Sequence, residues 1–409
     1  MKATGKINLQ AWMADPETWE VMKALTDKGG EARFVGGCVR DSIVNRRVYD
    51  VDIATSWHPS EVIERLQYRD IKVVPTGIDH GTVTAIVDGK PFEITTLRHD
   101  VKTYGRHADV EFTDDWIQDA ARRDFTMNAI FCDLDGTLYD LYGGVEDLRN
   151  GHILFVGDAE ERIMEDVLRI LRFFRFYAHF GKGEPDKSAV KAIKKFAHLI
   201  PKLSAERIHH ETLKLLEAEK AHQAWHIIVD QGILPHWLPE AQNVDVLGRL
   251  IDLEQEYNTK LYAIRRLAAL LPEKAKVVKT VANYMRLSKV DRHNLELMCQ
   301  SDLGVSLQMS EKDIRQFVYR YNNDVLRNQL LLVSARTDQK ENLLELYHYA
   351  TSCRLPEYQL LGQDVLDLGI TPGPQVGDYL RQVEQWWIDQ DFKPLRRESL
   401  DYLKNIVQV

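Results

Sequence analysis

The sequence predicts a small α+β domain built round a mostly antiparallel sheet, followed by an all-helical remainder. Three observations predict it. To about residue 150, short β-favouring runs alternate with helical patterns, as at Ala32–Val35, Val51–Thr55, Thr82–Val87 and Phe92–Leu97. Asp88-Gly89 and Asp135-Gly136 sit between such runs, and Asp-Gly suits the tight turn that joins antiparallel neighbours. After about Asp158 the apolar residues recur with helical spacing, and Gly and Pro fall at the joints, such as Gly181, Pro201 and Pro235.

In the first part, helices are expected at Cys38–Asn45 and Pro59–Leu66. In the second they are expected at Glu161–Phe180, Lys187–Leu199, Ala205–Glu217, His222–Gln231, Leu247–Glu256 and Lys289–Cys299. A chain of 409 residues exceeds one compact core, so two to four domains are expected. No apolar run reaches the roughly 18–20 residues that span a bilayer. Residues Met1–Lys6 lack the apolar segment of a signal peptide, so a cytoplasmic protein with no membrane association is expected. Cys38, Cys132, Cys299 and Cys353 are far apart and form no CxxC pair, which speaks against a zinc site and for free thiols.

The net charge of −9 alone disfavours a nucleic-acid partner. Its distribution matters more. Between Arg169 and Lys202 there are nine basic residues against Glu184 and Asp186, a stretch suited either to a polyanion or to a solvated helix face.

The chemistry begins at Gly36-Gly37-Cys38-Val39-Arg40-Asp41. A strand runs into two glycines and then a helix. Glycine lets backbone N–H groups approach an anion, and Arg40 lies within reach of a phosphate. Asp50 and Asp52 follow on an expected strand, where period-2 geometry puts both carboxylates on one face. Two like charges so close call for a cation, and Mg²⁺ favours one or two carboxylates plus phosphate oxygens. Asp50 and Asp52 are therefore the candidate metal ligands for attack on a nucleotide α-phosphate.

Together these residues resemble the first motif of the class II tRNA nucleotidyltransferase and bacterial poly(A) polymerase family, in the polymerase-β superfamily. Arg122-Arg123-Asp124-Phe125-Thr126-Met127-Asn128-Ala129 resembles the second motif, Asp140–Leu148 the third and Glu165–Phe176 the fourth. The match spans about residues 30–180. It implies a nucleotidyltransferase head at 1–150, a helical neck at 151–215 and a helical body and tail at 216–409 that bind tRNA.

The resemblance implies nucleotide contacts for Gly37, Arg40, Arg123, Arg172 and Arg175. It makes Asp166 and Arg169 a protein template for the incoming base. The template is chemically sensible: a carboxylate accepts from the exocyclic amine of cytosine or adenine and repels the carbonyl of uracil or guanine. Arg122 is either a nucleotide contact or a structural ion pair. The third carboxylate is either Glu93 or Asp124, and Asp124 is also a candidate cap for a helix near Phe125. On the helix Glu161–Phe180, Val167, Ile170, Leu171, Phe174 and Tyr177 form an apolar face. Arg169, Arg172 and Arg175 form a stripe on the other. The polar segment from Arg98 to Asp114 is either an ordinary exposed loop or a mobile one with a hinge at Gly105; in the family this region is a flexible loop that helps switch specificity from C to A.

The function expected is addition of C, C and A to tRNA from CTP and ATP, with Mg²⁺ and no obligatory protein partner. The rivals are poly(A) synthesis, CC-only or A-only addition, and a non-catalytic RNA-binding relative.

Overall fold

The computed structural model describes residues 1–104 and 107–407. Its backbone falls into two compact units, Met1–Pro239 and Glu240–Val409. The first holds all ten described strands: β1 (Gly5–Lys6), β2 (Ala32–Val35), β3 (Val51–Thr55), β4 (Lys72–Gly77), β5 (Thr82–Val87), β6 (Lys90–Thr96), β7 (Arg98–Tyr104), β8 (His107–Phe112), β9 (Ile130–Cys132) and β10 (Thr137–Asp140). Eight of them form one sheet in the order β1-β10-β9-β2-β3-β6-β5-β4, and β7 and β8 pair separately. All neighbours in the large sheet are antiparallel except β3 and β6, which run parallel with Asp52 opposite Glu93.

The hairpin at Asp88-Gly89 forms with both residues at positive φ (49° and 80°), the backbone that a two-residue turn between twisted strands requires. At Asp135-Gly136 only Gly136 has positive φ, and the loop is wider. The Asp133 N–H bonds the Thr137 carbonyl at 2.9 Å, and Gly136 N–H bonds Asp133.

Strand alternation gives the sheet two apolar faces. Phe34, Ile53, Phe92, Ile94 and Cys132 pack on one side with Met22, Leu25, Val62 and Leu66. These last four come from α2 (Pro16–Thr26) and α4 (Pro59–Gln67); a short α1 (Ala11–Ala14) precedes them, and α3 (Gly37–Ile43) lies between. Val35, Ala54 and Phe131 face the other way onto Trp116 and Ala120 of α5 (Trp116–Ala121). Each such fully buried side chain contributes about 1.5–3 kcal/mol. Asp52 alternates with Ile53 and so shares the α5 face with Ala54.

Helices then take over: α6 (Gly144–Asn150), α7 (Ala159–Glu165), α8 (Leu168–Phe180), α9 (Lys187–Phe196), α10 (Ala205–Leu216), α11 (Ala221–Asp230) and α12 (Leu234–Trp237). The expected single helix over Glu161–Phe180 is broken. Asp166 adopts extended backbone (φ −149°, ψ 106°), and its Oδ1 accepts from Leu168 N–H at 3.1 Å. A short carboxylate side chain that satisfies a free N–H two residues on competes with helix continuation and here restarts it.

α8 is also more buried than an amphipathic surface helix. Leu168, Phe173 and Phe176 are as buried as the expected apolar face, and none of its residues is exposed. The arginine stripe therefore points into the protein. The basic stretch divides: its three arginines are inside, whereas Lys182, Lys187, Lys191, Lys194, Lys195 and Lys202 are exposed. Phe125 anchors α8 to the sheet domain, with ring centroids 4.8 Å from Phe155 and 5.3 Å from Phe176.

The segment expected as a loop is, where described, the β7–β8 ribbon, with Arg98 opposite Phe112 and His99 opposite Glu111. Alternation of polar and apolar residues suits a paired ribbon as well as a loop. Gly105, its proposed hinge, and Arg106 lie outside the described residues. The second unit is helical throughout its described residues, from α13 (Val244–Glu256) to α22 (Arg396–Val407). No helix among the described residues is long and apolar enough to cross a membrane. All four cysteines are buried free thiols.

Candidate active site

The site grows from the end of β2. Gly36 takes φ +74°, a conformation that an L side chain adopts only with strain, and so turns the chain from β2 into α3. A Cβ there would lie 3.6 Å from Asp52 Oδ2 and 4.0 Å from Arg123 Nη1. The turn therefore sits directly over the carboxylate, with an arginine beside it. Arg40 Nη2 is equally close to Gly37, 3.8 Å from where its Cβ would be.

Asp52 is half-buried, and parallel pairing of β3 with β6 sets Glu93 at its side. Burial first, then the charge of Glu93 and that of Asp50, pushes the Asp52 carboxyl up to about 6 against the pull of Arg123 and Arg40. Asp50 is exposed and lies one residue before β3, slightly outside the strand expected to carry it. Among the described residues no three or more His, Cys, Asp and Glu side chains converge as a ready-made metal cage. An incompletely compensated set of carboxylates, all oxygen donors, fits a hard divalent cation that completes its shell from water and substrate phosphate.

Glu93, not Asp124, is the acid that joins Asp52. Asp124 is committed elsewhere. Its Oδ1 accepts from Phe125 N–H (2.9 Å) and Asn128 Nδ2 (3.0 Å), and its Oδ2 from Arg172 Nε (2.7 Å). Burial alone would raise this carboxyl, but the Arg172 charge and those hydrogen bonds hold it at about 2. The element after it is only a 3₁₀ turn, Thr126–Asn128, so it caps no α-helix.

The two arginines of the second motif share one acid. Asp119, 1% exposed, accepts from Arg122 Nε at 2.8 Å and from Arg123 Nη2 at 2.7 Å. Two cations on one carboxylate hold it below its ordinary range despite burial. Arg122 is thereby a structural partner, whereas Arg123 keeps Nη1 toward the Gly36 turn. Arg40 is chelated by Asp41 (2.9 and 3.1 Å), donates to Asn128 Oδ1 at 2.9 Å and lies over the rings of Phe176 and Phe180.

The third motif builds this floor. Asp140 accepts from the N–H groups of Gly144 and Val145 at 2.9 Å, and Thr126 Oγ1 donates to Asp147 at 2.7 Å. A Cβ on Gly144 would meet the Thr126 carbonyl at 2.2 Å, so this close approach requires glycine. The turn carrying Asp124 and Asn128 is fixed as a result.

The fourth motif lies beside it. Arg169 donates to Glu165 Oε2 (2.6 Å), to the Arg162 carbonyl (2.9 Å) and to the Arg122 carbonyl (3.0 Å). Arg169 N–H donates to the Asp166 carbonyl at 3.0 Å, while their side chains hold other partners. Arg172 bonds Asp124, and Arg175 Nε donates to Glu211 Oε2 at 2.6 Å. Sequence reasoning missed Asp119, Asn128, Arg207 and Glu211. Asp119 was detectable four residues before Arg123, and Asn128 stood inside the second motif. Arg207 and Glu211 carry no signal of their own.

The Poly A polymerase head domain family matches residues 32–154, and the family described as the probable RNA and SrmB-binding site of polymerase A matches residues 184–244. The mitochondrial CCA tRNA nucleotidyltransferase 1 of Mus musculus is 32% identical across 94% of this chain and 90% of its own. The chain belongs to the CCA-adding tRNA nucleotidyltransferase family. Within that family, the CCA-adding enzyme of Bacillus cytotoxicus is 31% identical over 89% of this chain and 92% of its own. The crystal structure of the Bacillus stearothermophilus CCA-adding enzyme in complex with CTP superposes with a TM-score of 0.76 at 25% identity, covering 96% of this chain and 98% of that one.

Two stability predictions follow the electrostatics. A raised carboxyl holds its proton longer when folded than when unfolded, so the stability it contributes is present at low pH and lost as pH rises from about 4 through 6. Metal-free Asp52→Asn is therefore expected to gain about 1–3 kcal/mol at pH 8, a gain that fades toward pH 4. Chemical denaturation at each pH measures it, and a variant no more stable than wild type at pH 8 contradicts the assignment. Asp124 has the opposite sign: its contribution is present above the ordinary Asp value and lost as pH falls toward 2. Asp124→Asn removes the nearer acid of Arg172, leaving it Glu211 at 3.7 Å, and is expected to cost about 3–5 kcal/mol at pH 7. An unchanged denaturation midpoint would contradict it.

Proposed function

We propose that this protein rebuilds the 3′ end of tRNA, adding C, C and A from CTP and ATP with release of pyrophosphate and without a nucleic-acid template. The observation that carries the reading is the Asp52–Glu93 pair, directly under the Gly36 turn and beside Arg123. Negative charge stands next to phosphate-binding groups, as metal-assisted phosphoryl chemistry requires.

Asp50, Asp52 and Glu93 would hold Mg²⁺, which supplies Lewis-acid activation of the primer 3′-OH and charge neutralisation at the leaving pyrophosphate. The backbone of Gly36 and Gly37, with Arg40 and Arg123, meets the triphosphate. Asp166 accepts a hydrogen bond from the exocyclic amine of the incoming base, and Arg169 donates to the adjacent ring acceptor. Arg172 and Arg175 complete the cationic wall along α8. Exposed lysines of α9 and the helices beyond contact tRNA phosphates, so binding weakens with salt. In this division the head is 1–150, the neck 151–215, and the body and tail 216–409. Four buried free thiols suit the reducing cytoplasm.

The description of the matching head family favours a second reading, poly(A) synthesis. One experiment separates the two: tRNA lacking its CCA end is incubated with the protein, Mg²⁺, CTP and ATP, and the 3′ ends are sequenced. Ends completed as CCA are expected. Long A tails would support the second reading, and no extension would remove the enzymatic one.

Asp50→Ala and Glu93→Gln are each expected to lower kcat at least 100-fold while tRNA binding persists. Wild-type turnover in either removes that residue from the metal platform. Asp166→Ala is expected to admit UTP and GTP without unfolding the protein. Undiminished rejection of both would be incompatible with a template role.

A further inference from the structure

Asp166 does not stand alone at the break between α7 and α8. Its Oδ1 accepts from Leu168 N–H at 3.1 Å, and its Oδ2 accepts from Arg207 Nη2 at 2.6 Å. Both oxygens are thereby fixed from the protein side. An ionised carboxylate offers about four lone-pair directions, so two contacts orient its plane and leave acceptor capacity for a ligand. Carboxylate and guanidinium are both mostly shielded, with 21% and 22% of their side chains exposed. A charge-assisted contact this short in such a setting is directional.

Arg207 is itself held firmly. It sits on the first turn of α10, whose Ile208, Glu211, Thr212, Leu215 and Leu216 are buried. Thr212 Oγ1 donates to the Ile208 carbonyl at 2.7 Å and accepts from Trp237 Nε1 at 2.9 Å, so the helix cannot rotate about its axis without breaking a buried bond. One turn beyond Arg207, on the same face, Glu211 accepts from Arg175 and stands 3.7 Å from Arg172 Nη1. A single helix thus sets the carboxylate of Asp166 and two of the α8 arginines from behind.

Building on the reading that Asp166 meets the base, we infer that Arg207 is a positioning residue for nucleotide choice: it aims the Asp166 carboxylate so that an amine is accepted and a carbonyl rejected. Arg207 acts through its contact with Asp166. A carboxylate released from it turns about its own side chain and meets uracil and cytosine with less distinction.

The test measures kcat/KM for CTP and for UTP on tRNA lacking its CCA end, in the full-length protein. Arg207→Gln is expected to lower the CTP/UTP ratio about 10-fold or more, the scale of one well-aimed base contact. Arg207→Lys keeps the charge without the planar donor and falls between, about threefold below wild type. In an Asp166→Ala background, Arg207→Gln is expected to change the ratio no further, a coupling that a merely structural residue would not show. If Arg207→Gln fails to fold, Arg207→Lys carries the test, and a wild-type ratio in it overturns the inference. If Asp166→Ala loses discrimination while Arg207→Gln keeps it, the inference fails and the template reading stands. If Asp166→Ala keeps discrimination, both fail together.

Discussion

Parallel pairing of β3 with β6 is the constraint on which the site depends. Every other neighbour in the large sheet is antiparallel, and only this pair lays Asp52 beside Glu93 in register. The sheet is committed to that register from both sides, because Ile53 and Ile94 must enter one apolar face while Ala54 enters the other. A slip of one residue would bury the acids and expose the core. The repulsion between the two carboxylates is therefore held by the packing of the whole first unit. Relief comes only in part from Arg123 and Arg40, and the excess negative charge is what makes the place attractive to a cation.

Around this charge the fold arranges arginines in two ways. Some are tied closely to an acid: Arg122 to Asp119, and Arg172 to Asp124. Others keep a face toward the site, as Arg123 does at the Gly36 turn. The acids behind these guanidinium groups come from α5, the Asp124–Asn128 turn and α10, and on the shared Asp119 the two arginines differ in that Arg123 keeps Nη1 toward the Gly36 turn.

Much of this was legible in the sequence, for identifiable reasons. Period-2 and period-3.6 patterns placed the strands and helices they named to within a few residues, the break at Asp166 apart, and the Asp-Gly hairpin at 88–89 announced its own backbone. Local spacing also pointed to Asp50, Asp52 and the Gly36-Gly37 turn, because these lie within one short strand–turn–helix–strand segment. What remained open depended on long-range pairing. Glu93 and Asp124 were equal candidates until the β3–β6 register favoured one and Arg172 claimed the other. The break at Asp166 was hidden because Asp is tolerated inside a helical pattern, and its extended backbone and its hydrogen bond from Leu168 show that it ends one helix and starts the next. Arg207 and Glu211 lie about 40 residues beyond the groups they hold, so no window of sequence joins them.

The central claim is that the charge of Asp52 and Glu93 is a cation platform, and metal binding coupled to proton release measures it most directly. Mn²⁺ titrated as a Mg²⁺ surrogate into the protein with CTP, in buffers of different ionisation enthalpy, reports both affinity and protons released. The account predicts that binding releases protons below about pH 6, that none are released from this group at pH 8, and that Asp52→Asn abolishes the release and weakens the affinity. Equal Mn²⁺ affinity in wild type and Asp52→Asn, with the same proton count at every pH, would contradict it.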